Sequence, residues 1–163
     1  MGQALLQRRL DERAIAAKVH SAGFLSGGSP ATVPAVDAMA AEGLDISDHL
    51  SRQLTRYLIE EADLVVTMTR QHLVELTLMA PDHWPRAFQV RDLVRRAEQV
   101  GPRAPDESFA DWLAALGAGR TRSGLLSASL SDDVDDPVGQ PAAAYDRTKK
   151  LLDDLFTRLS DLV

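Results

Sequence analysis

Cysteine is absent from all 163 residues, which removes disulfides, thiolate zinc sites and any cysteine nucleophile in one step. Long apolar runs are missing too. None approaches the ~20 residues of a bilayer crossing, and Met1 leads into Gln3, Gln7, Arg8 and Arg9 without the apolar core of a signal peptide. A cytoplasmic chain that does not enter a membrane is expected. Basic charge is in deficit, with 18 Lys and Arg against 24 Asp and Glu, a net charge of −6. A phosphate backbone would find little general attraction, so nucleic acid is not an expected partner. The Arg pairs at 8 and 9 and at 95 and 96 read as solvated helix faces.

What is present is ordinary globular composition, 45% hydrophobic and 26% charged, with a length that suits one domain, 1–163. The clearest local signal runs from Ala62 to Thr69. Leu64, Val65, Val66 and Met68 form a short, partly β-branched apolar run, the pattern of a strand buried on both faces of a parallel sheet. Thr69 is a good N-cap, and Leu73 and Leu76 recur at helical spacing behind it, so the chain should turn from strand to helix there. In open α/β sheets such junctions hold ligands.

The remaining elements follow the same alternation. Gly2–Arg13 reads as an amphipathic helix and Lys18–Ala22 as a short strand, followed by a Gly/Ser-rich loop at 23–29. Pro34 fits the first turn of a helix that ends on Gly43. Thr55 can cap a short helix through Glu61. Phe88–Val90 is a brief strand candidate, after which the pattern loosens. From Arg95 to Ser131 only Phe109–Leu116 reads as a helix, with Phe109, Trp112, Leu113 and Leu116 on one face, so 95–131 is expected to be an insertion. Gly117, Gly119 and Gly124 could serve as hinges if that insertion is a lid; it could equally be a surface loop. Pro141 opens a long closing helix.

Four stretches in order, Ser21-Ala22-Gly23, Gly43 to Arg52, Ala62 to Arg70 and Asp133 to Gly139, resemble the low-molecular-weight protein tyrosine phosphatase family. The resemblance implies a three-layer α/β/α fold around a small, four-stranded parallel sheet, and hydrolysis of phosphotyrosine through a cysteinyl-phosphate. No cofactor is implied. The family places its nucleophile in a loop of Cys, five residues and Arg directly after the first strand, where backbone N–H groups at a helix N-terminus hold the phosphate. Met1 to Leu6 resembles the Met and helix that follow this loop. The chain is therefore expected to start just after it, lacking the central first strand, the nucleophilic Cys and the phosphate-binding Arg.

Asp136, in Asp-Pro, matches the family's general acid. Without the resemblance, Asp132, Asp133, Asp135 and Asp136 would read as a solvated acidic turn before Pro137. A calcium loop does not fit, since the central Gly and terminal Glu are missing; no metal is expected. His49 and Ser21 match positions that support the phosphate loop in the family, or are simply a hydrogen-bonded, partly buried histidine and a turn serine. Where the family often carries aromatic residues after Asp-Pro, Val138 and Gly139 stand here.

As written, the chain is expected to be inactive and to come from an N-terminally truncated reading frame. The alternative is a non-catalytic binding or regulatory member of the family. With the loop restored, the partner would be a phosphotyrosine protein or a small phosphomonoester, with Asp132 and Asp133 contributing little. Loss of the first strand, between the one near Val19 and Leu64–Met68, would leave sheet edges open to homo-oligomer formation.

Overall fold

The computed structural model describes residues 1–125 and 130–163; the part of the expected insertion at 126–129 lies outside the described residues. Its elements run in the order α1 (Gly2–Glu12), α2 (Val33–Ala40), α3 (Arg56–Glu60), β1 (Val65–Thr67), α4 (Arg70–Met79), β2 (Ala87–Gln89), α5 (Val90–Val100), α6 (Phe109–Leu116), α7 (Arg122–Leu125) and α8 (Ala142–Ser160). They fall into two compact units. One comprises Met1–Leu54 and Asp135–Ser160, the other Thr55–Val134 and Asp161–Val163.

In the first unit α1 and α2 both pack on α8. Leu5 and Leu10 of α1, Ala35, Ala38 and Met39 of α2, and Leu152, Leu155, Phe156 and Leu159 of α8 are buried, the side-chain set that helical periodicity selects. Charge then fixes the register of this packing. Arg8 and Arg9 are not solvated as their sequence context suggests: both guanidiniums reach the Asp153 carboxylate of α8, at 2.9 and 2.5 Å. Burial alone would raise the Asp153 pKa, but hydrogen bonds from Arg9 and Arg8 outweigh it and hold the carboxyl below its ordinary range. Lys149 is buried, and its ammonium donates to the Ala38 carbonyl at the end of α2 (3.1 Å) and pairs with Glu42 (3.0 Å). A cation at a helix C-terminus satisfies a carbonyl that has no partner within the helix.

Lys18–Ala22 does not form the expected strand. Its backbone donors are taken by side chains of α1: Val19 N–H donates to Gln7 Oε1 (2.9 Å) and Ser21 N–H to Gln3 Oε1 (3.0 Å). Those bonds occupy the groups that a ladder would have used. Beyond it, the 23–30 and 49–53 segments meet through isolated bridges, Gly23 with Gln53 and Pro30 with Leu50.

The second unit holds the sheet. Among the described residues this sheet has two strands, β1 and β2, parallel and in register with Val65 opposite Ala87, Val66 opposite Phe88 and Thr67 opposite Gln89. The connection is α4. Thr69 caps that helix, its hydroxyl accepting from His72 N–H at 3.2 Å, and Thr55 caps α3 through Leu58 N–H, both as the sequence predicts. β2 lies one residue earlier than expected, because Val90 already begins α5.

The helix α5 is the main element that the sequence conceals. No side chain caps it, yet Val90, Leu93, Val94 and Ala97 are buried and the helix packs on both strands. Gly101 ends it with φ +95°, a conformation that favours glycine. The 95–131 segment thus begins inside a core helix. α6 has the expected bounds; its end is held by Arg96, which donates to the Leu116 carbonyl (3.0 Å), and Trp112 Nε1 donates to the Gly101 carbonyl (3.1 Å). Arg120 lies 3.9 Å over the Phe88 ring and donates to the carbonyls of Pro85 and Ala87. Burial lowers its pKa to about 10, which still leaves it charged at neutral pH. Among the described residues no helix is long and apolar enough to cross a membrane.

Lys149→Ala should destabilise the chain by about 1–3 kcal/mol, the range for leaving a buried carbonyl without its donor. The check is a lower urea midpoint at unchanged m-value; Glu42→Gln, at an exposed position, should shift the midpoint far less.

Candidate functional site

The acidic stretch at 132–136 divides sharply along its length. Asp132 is buried and Asp133 half-buried, whereas Asp135 and Asp136 are exposed. A uniformly solvated turn is therefore ruled out. Asp132 receives both terminal nitrogens of Arg95 in a bidentate pair, at 2.9 Å each, the geometry in which guanidinium and carboxylate fit best. Arg95 is thus a partner of this stretch and not a solvated side chain. Asp133 Oδ1 accepts from Arg70 N–H at the start of α4 (2.6 Å) and from Gln89 Nε2 at the end of β2 (2.8 Å). Val134 is buried, and its N–H donates to the Met68 carbonyl at the end of β1 (2.8 Å). Three consecutive residues are fastened around the C-terminal ends of both strands.

Asp136 follows two residues later. Its Oδ1 accepts from Val138 N–H at 3.0 Å, an Asx turn that Asp-Pro followed by Val-Gly supports locally. The Asp135 carbonyl receives the Thr148 hydroxyl of α8 at 3.4 Å. An exposed carboxylate on a turn can exchange protons with solvent or with a ligand, and Val138 beside it is 62% exposed.

The other two sequence candidates gather at the start of α1. Ser21 donates its hydroxyl to Gln3 Oε1 at 2.7 Å. Gln3 in turn lines a cleft of about 230 Å³ together with Met1, Ala4, Asp45, Ile46, Asp48 and His49. Asp45 Oδ1 accepts from Ser47 N–H, and that bond holds its carboxyl below the ordinary range. The structure therefore brings Ser21 and His49 around the first turn of α1, and Asp136 is not among the residues lining this cleft. Arg52 Nη2 meets His20 Nδ1 at 3.3 Å. No group of three or more His, Asp or Glu that could hold a metal occurs among the described residues.

Sequence reasoning missed Asp133, Gln89 and Arg95. Only Gln89 left a trace, as a glutamine closing an apolar strand; its burial at 1% exposure requires a polar partner, and Asp133 is that partner.

These features define the class: an α/β protein with a parallel strand pair, a capped strand-to-helix turn and acid-bearing chain drawn to the C-terminal ends of the strands. The low molecular weight protein tyrosine phosphatase from T. tengcongensis shares the fold, with a TM-score of 0.73 over 99% of this chain and 88% of that one, at 23% identity. The family model for low molecular weight phosphotyrosine protein phosphatase matches residues 1–106, and the chain belongs to that family. Asp136 lies beyond the matched segment. A probable low molecular weight protein-tyrosine-phosphatase, EpsP of Ralstonia solanacearum, is 32% identical over 120 residues, 73% of this chain and 80% of that protein. The protein-arginine-phosphatase of Bacillus subtilis (strain 168) is 38% identical over 95 residues, 58% of this chain and 63% of that protein.

The Arg95 guanidinium holds the Asp132 carboxyl below the usual carboxylate range. A depressed folded-state pKa stabilises the fold at pH values above the unfolded pKa of about 3.9, and the contribution fades as pH falls through the folded value. Arg95→Ala should move the Asp132 pKa upward in a carboxyl NMR titration and flatten the loss of stability on acidification below about pH 4.

Proposed function

We propose that the chain carries the leaving-group-acid half of a phosphomonoesterase site, with Asp136 as the general acid. The exposed Asp136 carboxylate, held by Val138 N–H in an Asp-Pro turn, is the observation that carries this reading. As the phosphorus–oxygen bond to the substrate breaks, Asp136 gives its proton to the departing oxygen. The carboxylate so formed then takes a proton from the water that attacks the phospho-enzyme. Such a group contributes ~10² to 10⁴ in rate. The first step of the family reaction needs a thiolate to attack phosphorus, and these 163 residues contain no cysteine. By themselves they complete no turnover; a Cys-bearing loop ahead of Met1 would supply the missing step.

On this reading 1–163 is one phosphatase-like domain, working in the cytoplasm, and the insertion expected at 95–131 is confined to the part beyond the end of α5 at Val100. Ser21 and His49 support the loop that would sit at the start of α1, as their convergence on Gln3 and its cleft suggests. Substrate is a phosphotyrosine protein or small phosphomonoester; the protein-arginine-phosphatase relative and the exposed aliphatic Val138 make phosphoarginine peptides the comparison to run beside phosphotyrosine peptides. A second reading, a non-catalytic member that acts by binding, including self-association through the β1 edge, is favoured by the missing thiol alone.

The purified 163-residue chain should not hydrolyse p-nitrophenyl phosphate above background; vanadate-sensitive turnover of even a few per minute would overturn the need for a thiolate. In a version carrying the family's Cys and Arg loop ahead of Met1, Asp136→Ala should slow turnover about 100-fold or more. A loop-bearing protein that folds but stays inert would favour the binding reading.

A further inference from the structure

We infer that Asp133 is a positioning residue, fastening the chain that leads to Asp136 onto the start of α4 and the end of β2. The inference rests on the assignment of Asp136 as the acid, and it gives the neighbouring aspartates the roles that the sequence did not suggest. Asp133 Oδ1 holds two donors at once, Arg70 N–H at 2.6 Å and Gln89 Nε2 at 2.8 Å.

Neither bond is needed to build the element it touches. α4 already has its own cap in Thr69, which accepts from His72 N–H. A second cap brought from 63 residues away requires ordering a distant segment, at about 1–2 kcal/mol of backbone entropy per residue fixed. Its specific consequence is to hold the segment that supplies it. Gln89 points the same way. A fully buried strand position would ordinarily be apolar, and an amide placed there needs a partner; Asp133 satisfies it.

The flanking residues share the task. Asp132 is clamped by Arg95 on α5 and Val134 N–H is bound to the Met68 carbonyl just past β1, so three successive residues are tied to α5, to α4 and β2, and to the turn that follows β1. Past Val134, the Asp136 side chain has, among the described residues, only its own turn bond to Val138. Two residues of extended chain, a reach of at most ~7 Å, separate Val134 from Asp136, so the anchored triplet sets the point from which the chain to that carboxyl departs. Misplacing a reacting group by about 1 Å can slow a reaction 10²-fold.

The test begins with the 163-residue chain itself. Asp133→Ala should speed amide exchange at Arg70 and Val134 and raise backbone mobility over 135–138 in ¹⁵N relaxation. Asp133→Asn keeps an acceptor oxygen in place and should behave like the parent. Unchanged order at 135–138 in Asp133→Ala, or an Asn variant as mobile as the Ala one, would overturn the inference. If Asp133→Ala fails to fold, Gln89→Leu removes one of the two bonds while sparing the cap on α4; it should loosen 135–138 partially, and no loosening would again overturn it.

A second arm uses the loop-bearing protein. A misplaced acid harms poor leaving groups most, so Asp133→Ala should lower kcat on phenyl phosphate about 10-fold. KM should hold, and p-nitrophenyl phosphate should be affected less than about 3-fold. Equal losses on both esters would mean a merely structural role. If Asp136→Ala shows no leaving-group dependence, the acid assignment fails, and the mobility measurements alone decide whether Asp133 sets the course of the chain.

Discussion

The C-terminal end of β1 is where the second unit is tied together. At Met68 and Thr69 the chain must stop pairing as a strand and start hydrogen-bonding as a helix, which strands the first N–H groups of α4 and the carbonyl of Met68 just past β1. Thr69 satisfies His72 N–H, Asp133 satisfies Arg70 N–H, and Val134 satisfies the Met68 carbonyl. Two of the three partners come from the acidic stretch. Helix start, strand end and the path of the chain toward Asp136 are thus one hydrogen-bonded arrangement, and Gln89 and Arg95 extend it to β2 and α5.

Charge serves packing throughout this protein. Arg8, Arg9, Arg95, Arg96, Arg120 and Lys149 each end on a carboxylate or a backbone carbonyl supplied by another element or segment. Arginine suits this work because its planar fork can satisfy two acceptors while its face lies on an aromatic ring, as Arg120 does over Phe88. With six more acidic than basic residues, the chain as a whole offers phosphate groups little general attraction. On the proposed reading, recognition of a phosphate ester rests on directed local groups, and a helix N-terminus is one such arrangement.

Membership of the low molecular weight phosphatase family and the lack of cysteine stand together in this chain. On the proposed reading, the family's cysteine-dependent step is the part that these 163 residues have no thiol to perform. The parts they carry, on that same reading, are the capped strand-to-helix turn, Ser21 and His49 at the start of α1, and the Asp136 turn that follows the anchored 132–134 segment.

The sequence by itself determined what depends on neighbours along the chain. Thr55 and Thr69 announce two helix starts because an N-cap bonds only two or three residues ahead, and the bounds of α6 follow from apolar spacing. The order of four short motifs sufficed for the family. Tertiary structure alone decided the rest. Lys18–Ala22 has strand composition, but Gln3 and Gln7 claim its donors; α5 lacks a cap and is held by burial against β1 and β2. Asp132 and Asp133 look like any acidic turn until Arg95, Arg70 N–H and Gln89 converge on them from 37, 63 and 44 residues away. A carboxylate's role depends on which donors surround it, and donors so distant in sequence become its neighbours only when the chain has folded.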